Sequence, residues 1–232
     1  MERWKVDLKS PELARIYDEY LHSQERSLIF YLSSVVLSKH ANFPEEHQGT
    51  SIRASSDFDD DATSIRTIGQ IHALIEDGRY DQLSRSFIVV SMVAALGDCF
   101  DGVRRLLQLD QQDIKKTVTV KERNRPDAII KPAALKIAHL VNNTLNLNAR
   151  ICDHYSSRWI NCIINLRHMF VHDKGLFNRD YKAHMINAWD SLEAGESITF
   201  NENQVDAILW FFNDHVRDFV SRLDEKLPPS PT

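Results

Sequence analysis

The chain has 232 residues, 43% of them hydrophobic and 26% charged, with a net charge of −5; that is ample for one large domain with a real core and excludes a disordered chain. Its 7 Gly and 7 Pro are too few for an all-β protein with a turn every dozen residues. No apolar run approaches the ~18 residues of a membrane span, and the acidic balance argues against broad coating of nucleic acid.

Nearly every periodic stretch has a helical period, so the expectation is an all-α helical bundle of about five to six helices. Ser10-Pro11-Glu12 reads as an N-cap with Pro at the first helical position, opening a helix to about residue 40 with Leu13, Ile16, Tyr17, Tyr20 and Leu21 in its stripe. Residues 41–62 are polar, include Asp57-Phe58-Asp59-Asp60-Asp61, and are expected as a mobile loop. A second helix is predicted from about Ser64 to Asp77, closed by Gly78. The third, from about Asp81 to Gln108, is apolar on most sides, which places it at the centre of the bundle. Thr117-Val118-Thr119-Val120 is expected as a loop. Lys131-Pro132 opens a fourth helix to about Asn146, and a fifth runs from about Ala149 to His172. A long connection over 173–200 leads to a last helix from about Asn203 to Lys226. The expected organisation is a helical extension over 1–79, a bundle over 80–226 and a disordered tail over 227–232.

Charge is distributed unevenly. Residues 1–100 carry 10 basic and 16 acidic side chains, and residues 183–232 carry three against nine. Between them lie two basic zones: Lys115, Lys116, Lys121, Arg123 and Arg125 against Glu122, and residues 150–182 with six basic against three acidic side chains. An acidic body with local basic zones suits a phosphate-bearing ligand held at one place. Three cysteines, Cys99, Cys152 and Cys162, cannot all pair, and Cys152 and Cys162 fall on one predicted helix. With Met1–Lys5 lacking the apolar stretch of a signal peptide, the expectation is reduced thiols in a cytoplasmic protein.

The most informative segment is Arg167-His168-Met169-Phe170-Val171-His172, followed by Asp173-Lys174-Gly175. Trp159, Ile163, Leu166 and Phe170 fall at i, i+4, i+7 and i+11 and make a buried stripe. Arg167 lies on its flank, so its charge needs a partner: a carboxylate, with Asp98 or Asp101 as candidates, or a ligand phosphate gripped by two hydrogen bonds. His172 lies five residues on, and in an unbroken helix the two point roughly 140° apart. They converge within one chain only if the helix ends between them; the other solution is two chains related by a twofold axis. His168 and His172 at i, i+4 also have metal-ligand spacing, but no third ligand is evident, and no metal or other cofactor is expected.

Leu166-Arg167-His168-Met169-Phe170-Val171-His172-Asp173-Lys174-Gly175 resembles the HEPN superfamily of helical domains, whose ribonuclease members carry Arg-x(4–6)-His with a polar residue after the Arg. The resemblance covers about residues 80–226. It implies a HEPN-like bundle, metal-independent endoribonuclease activity, and a homodimer with a composite site. In that reading Arg167 holds the scissile phosphate, His172 is the general base or acid, and His168 orients the site. Lys174, Arg123 and Arg125 are the candidate RNA contacts. Many such proteins act in prokaryotic defence or as toxins, so an antitoxin or defence partner is implied, and no membrane. Others have lost catalysis and only bind RNA or protein. One departure stands out: Leu96-Gly97-Asp98 occupies the place where related domains often have Leu-Glu, leaving Asp98 as the candidate supporting carboxylate.

Overall fold

The computed structural model describes residues 2–40, 44–47, 49–54, 64–117, 121–122, 125–129, 132–186 and 189–228. Helix α1 spans Pro11–His40. Ser10 opens it as expected, its Oγ accepting the Leu13 N–H at 3.3 Å. Strands β1 (Ser51–Ala54) and β2 (Ser64–Thr67) pair antiparallel, with Ser51 opposite Thr67 and Ala54 opposite Ser64. This corrects two expectations: the loop over 41–62 contains a strand at 51–54, and 64–67 is strand instead of the first turn of a helix. The β-branched residues Ile65 and Thr67 favour the strand. The helix starts four residues later than expected, through a capping box: Thr67 Oγ1 accepts the Gln70 N–H, and Gln70 Oε1 accepts the Thr67 N–H. Helix α2 then covers Ile68–Glu76.

Gly78, at φ +74, turns the chain into α3 (Arg79–Leu106). By length and composition α3 could cross a membrane, but over half of its apolar window is buried in the bundle. It is the central helix, packed against α1, α2 and the later helices. Helix α4 (Gln111–Lys116), capped by Asp110, was not anticipated. Strands β3 (Lys121–Glu122) and β4 (Arg125–Ile129) form a second small antiparallel ribbon. The loop expected over Thr117–Val120 falls largely outside the described residues. Helix α5 runs Ala133–Leu145 after Pro132 and ends at Asn146 in the left-handed region, φ 52.

The helix expected from Ala149 is interrupted. Arg150–Cys152 form a 3₁₀ turn, and α6 (His154–His172) begins only after Asp153, whose side chain accepts the Ser156 N–H. Cys152 and Cys162 therefore do not share a helix. Helix α7 (Glu202–Asp224) closes the chain behind a capping box of Asn201 and Gln204. The fold among the described residues is all-α in class, seven α-helices with two short ribbons at its edge.

One core runs through Leu13, Tyr17, Leu96, Phe100, Phe212 and Phe219. It includes the first half of α1, so the division expected at residue 79 does not coincide with a break in packing. Helix α1 approaches α3 tightly at Gly102, where an added Cβ would stand 2.9 Å from Ile16 Cγ2. Ile16 is β-branched and held at 4% exposure, so it has little room to move. Gly102→Val is expected to lower the unfolding free energy by about 1–3 kcal/mol through overpacking, read from the urea midpoint. An unchanged midpoint would mean that α1 and α3 separate without cost.

Candidate active site

Helix α6 positions the motif. Its inward face carries Ile160, Cys162, Ile163, Leu166 and Met169, all fully buried, which fixes the rotation of the helix and therefore the direction of every motif side chain. The helix continues without interruption through His172 and is capped by Asp173. Two successive residues in the left-handed region, Lys174 at φ 57 and Gly175 at φ +76, then fold the chain back. The Gly175 and Asp173 N–H groups donate to the Met169 carbonyl at 3.2 and 2.9 Å. The helix thus ends after His172, not between Arg167 and His172. The two side chains leave it roughly 140° apart, and one chain does not bring them to one phosphate.

Two rings are brought together instead. His168 and His172 lie with centroids 4.3 Å apart, and Tyr181 stands 5.5 Å from His168 on the other side. Tyr181 comes from the connection after α6, whose residues 173–186 and 189–200 form a layer over the end of the helix. Phe177 N–H donates to the Glu196 carbonyl at 2.8 Å, Ile198 N–H donates to the Gly175 carbonyl at 2.9 Å, and Phe177, Met185, Trp189 and Phe200 are buried beneath. Burial, with the charges of Asp173 and Asp180 behind it, raises the Tyr181 pKa, so its hydroxyl keeps its proton at ordinary pH. His172 is exposed at the mouth of a depression of about 460 Å³ that also holds Lys174, Asn178 and Arg179.

Arg167 is half-buried, its Nε fully covered and without a hydrogen-bond acceptor. Among the described residues no carboxylate pairs with it. Of the two acidic candidates, Asp101 is engaged elsewhere, pairing with Arg104 and Arg105 at 2.7 and 3.0 Å. Asp98 is exposed in the groove between α1 and α3, beside Arg15 and Arg26. Asp98 therefore does not support Arg167, because it lies on the α1 side of α3. Lys174 lines the same depression as His172. Arg123 lies outside the described residues, and Arg125 is placed only as the first residue of β4. Sequence reasoning missed Tyr181 and Arg179. The available signal was Asn178, whose side chain accepts the Asp180 N–H and starts the 3₁₀ helix Arg179–His184.

Other chemistry is less well served. Burial pushes the Cys99 and Cys152 thiols up to about 12, which removes them as nucleophiles at neutral pH. Among the described residues no third His, Cys, Asp or Glu joins His168 and His172 in a metal-holding group.

Two further histidines act on stability. His139 Nε2 meets Ser157 Oγ at 2.9 Å, and that hydroxyl donates to the Ile151 carbonyl at 2.9 Å, so Nε2 carries the proton. His215 Nδ1–H donates to the Phe211 carbonyl at 2.8 Å, and its Nε2 faces Ser156 Oγ at 2.9 Å. Burial lowers both pKa values below 6.5. The unfolded chain therefore takes up these protons first. The contribution of the neutral rings is fully present above 6.5 and is lost as pH falls from there toward the folded-state values. The melting temperature is expected to drop between about pH 7 and about pH 5, and His139→Gln with His215→Gln should flatten that drop. An equally steep drop in the double variant would assign it to carboxylates.

Comparison with models of known families, with curated proteins and with solved structures gives no match, so the likeness to HEPN domains rests on the motif residues and their place at the end of α6.

Proposed function

We propose that the chain is a metal-independent endoribonuclease of the HEPN type, working as a homodimer whose composite site joins the α6 ends of two copies. The observation that carries the reading is Arg167: a half-buried guanidinium with no carboxylate partner among the described residues, one position from a pair of histidine rings in contact at 4.3 Å. A buried cation without an acceptor is costly, and a phosphodiester supplies the acceptor. Arg167 binds the scissile phosphate and its growing charge. The exposed His172 of one copy takes the proton of the 2′-hydroxyl, whose oxygen attacks phosphorus. The other copy's His172 gives a proton to the departing 5′-oxygen, leaving a 2′,3′-cyclic phosphate and a 5′-hydroxyl. His168, with Tyr181 against its ring, holds the His172 ring, and Lys174 and Arg179 line the strand's exit. Because one chain separates Arg167 from His172, the reading requires the second copy. Prokaryotic defence, or action as a toxin on cellular RNA, is the setting that the resemblance suggests.

The test is incubation of the purified protein with total RNA in EDTA, followed by analysis of the new ends. Cyclic phosphate ends formed by the wild type and absent with Arg167→Ala and His172→Ala support the reading. Intact RNA with the wild type across many conditions removes it. In a host cell, expression should be toxic and the double variant harmless.

The unbroken α6 favours a second reading, a HEPN-like module without catalysis that binds RNA or a protein partner. The two readings part at Arg167→Ala. A nuclease loses cleavage and keeps its melting temperature within ~2 °C, because no ion pair is broken. A binding module loses no cleavage, and there the substitution shows itself in stability instead.

A further inference from the structure

Residues 27–38 of α1 contain no charged side chain. Contacts along the helix set its direction against α3. Ile16 meets Gly102, Gln24 Nε2 donates to the Met92 carbonyl at 3.3 Å, and the Phe30 and Phe87 rings lie 4.8 Å apart. The helices run antiparallel, and the last three turns of α1 stand beside the first turns of α3. There Tyr31 and Ser34 are buried. The opposite arc, roughly 160° wide at 100° per residue, holds Ile29, Phe30, Leu32, Val36 and Leu37, each about half exposed. A surface helix normally carries its charges on that arc.

The apolar surface continues across Leu83 and Phe87 of α3, 61% and 50% exposed, to Val171 of α6, 48% exposed. Between them lies a groove of about 420 Å³ walled by Phe30, Phe87, Phe170 and Val171. Val171 is four residues after Arg167, so the two share a face of α6.

We infer that this surface is where a second copy of the chain docks, through a twofold contact that sets the two α6 ends side by side. Two observations choose this occupant. The first is area. A large apolar side chain left half exposed keeps on the order of 100 Å² in water. Eight such side chains reach on the order of 800 Å², which is one partner's share of a standard interface. Monomeric proteins rarely leave so much apolar surface contiguous. The second is continuity with the motif. The face of α6 that borders the groove is the face that bears Arg167, and Arg167 and His172 diverge within one chain. A copy docked by symmetry on Val171 covers the unpaired guanidinium and brings its own α6 end to it. What the completed site does rests on the nuclease reading; the pairing rests on the apolar surface.

Sedimentation equilibrium on the full chain tests the inference, with Val36→Glu and Leu83→Glu, both at exposed positions, combined in one variant. The wild type should be a dimer at micromolar concentration. The variant should be a monomer with an unchanged far-UV circular dichroism spectrum. Hydrogen exchange on the unmutated protein gives a second measurement: amides of 27–38 should gain protection as concentration rises. A wild type that stays monomeric, a variant that stays dimeric, or exchange independent of concentration each overturns the inference. A dimer on this surface that leaves RNA intact supports the inference and removes the nuclease reading. A monomer that cleaves RNA overturns the inference and keeps that activity.

Discussion

Mixing wild-type protein with an equal amount of the His172→Ala chain, at fixed total protein and under conditions that let subunits exchange, is expected to leave about a quarter of the wild-type cleavage rate. The expectation follows from placing the motif on an unbroken helix. Arg167 and His172 diverge by roughly 140° within one chain, so a working site draws on two copies. In the proposed mechanism one His172 removes the 2′-hydroxyl proton while the other protonates the leaving oxygen. General acid–base participation of this kind contributes about 10²–10⁴-fold each, so a dimer with one alanine is nearly silent. Only pairs of intact chains act, and they are about one quarter of random pairs. Chains that act independently would keep half. The rate at several mixing ratios distinguishes a square law from a straight line, and a straight line would place a complete site in each chain. Arg167→Ala should behave in the same way, since its guanidinium is the only motif cation on the face beside Val171.

The largest effect on stability is expected from Asp224→Ala. Asp224 is the last residue of α7 and is 5% exposed. Its two carboxylate oxygens accept the N–H groups of Lys9 and Ser10, each at 2.8 Å. A carboxylate at a helix C-terminus opposes that helix's own dipole, whereas one before a helix N-terminus is favoured. Asp224 therefore serves α1, not α7. Hydrogen bonds to a charged group contribute about 1.5–3 kcal/mol each, and their loss strands two amides. A total near 3 kcal/mol is a large part of the 5–15 kcal/mol that holds a typical domain folded. At about 2–4 °C per kcal/mol for a chain of this size, the melting temperature should fall by roughly 6–12 °C. Asp224→Asn should recover part of it through its remaining carbonyl oxygen. A fall of less than about 2 °C would show that water replaces the carboxylate and that the start of α1 is not tied to the end of α7.

Several elements could be read directly. The uniform apolar character of 81–108 marks α3 as central, because a helix without a polar face has nowhere else to lie. Pro11, Pro132 and Gly78 mark boundaries that the backbone respects, since proline lacks an N–H and glycine accepts positive φ. The errors were local competitions. Thr67 was counted as helix interior, but its hydroxyl caps Gln70 and ends a strand. Asp153 lies inside the stretch from Ala149 to His172 that the period marks as one helix, yet its side chain starts α6 and leaves Arg150–Cys152 as a separate turn. The motif was visible as a spacing, and its burial on the flank of an apolar stripe followed from helical period.

The amino-acid order by itself determined where the long helices α1, α3, α5, α6 and α7 lie to within a few residues, which of their faces turn inward, and that Arg167 and His172 share one helix end, because these depend on neighbours within a few turns. Tertiary structure alone decided the rest. It carried Asp98 to the far side of α3, folded Tyr181 back onto His168 from thirteen residues away, aimed Asp224 at a helix that begins more than two hundred residues earlier, and left the end of α1 bare. A periodic pattern records which side chains avoid water, but what covers them is set by contacts between segments distant in the chain, and no local period encodes those.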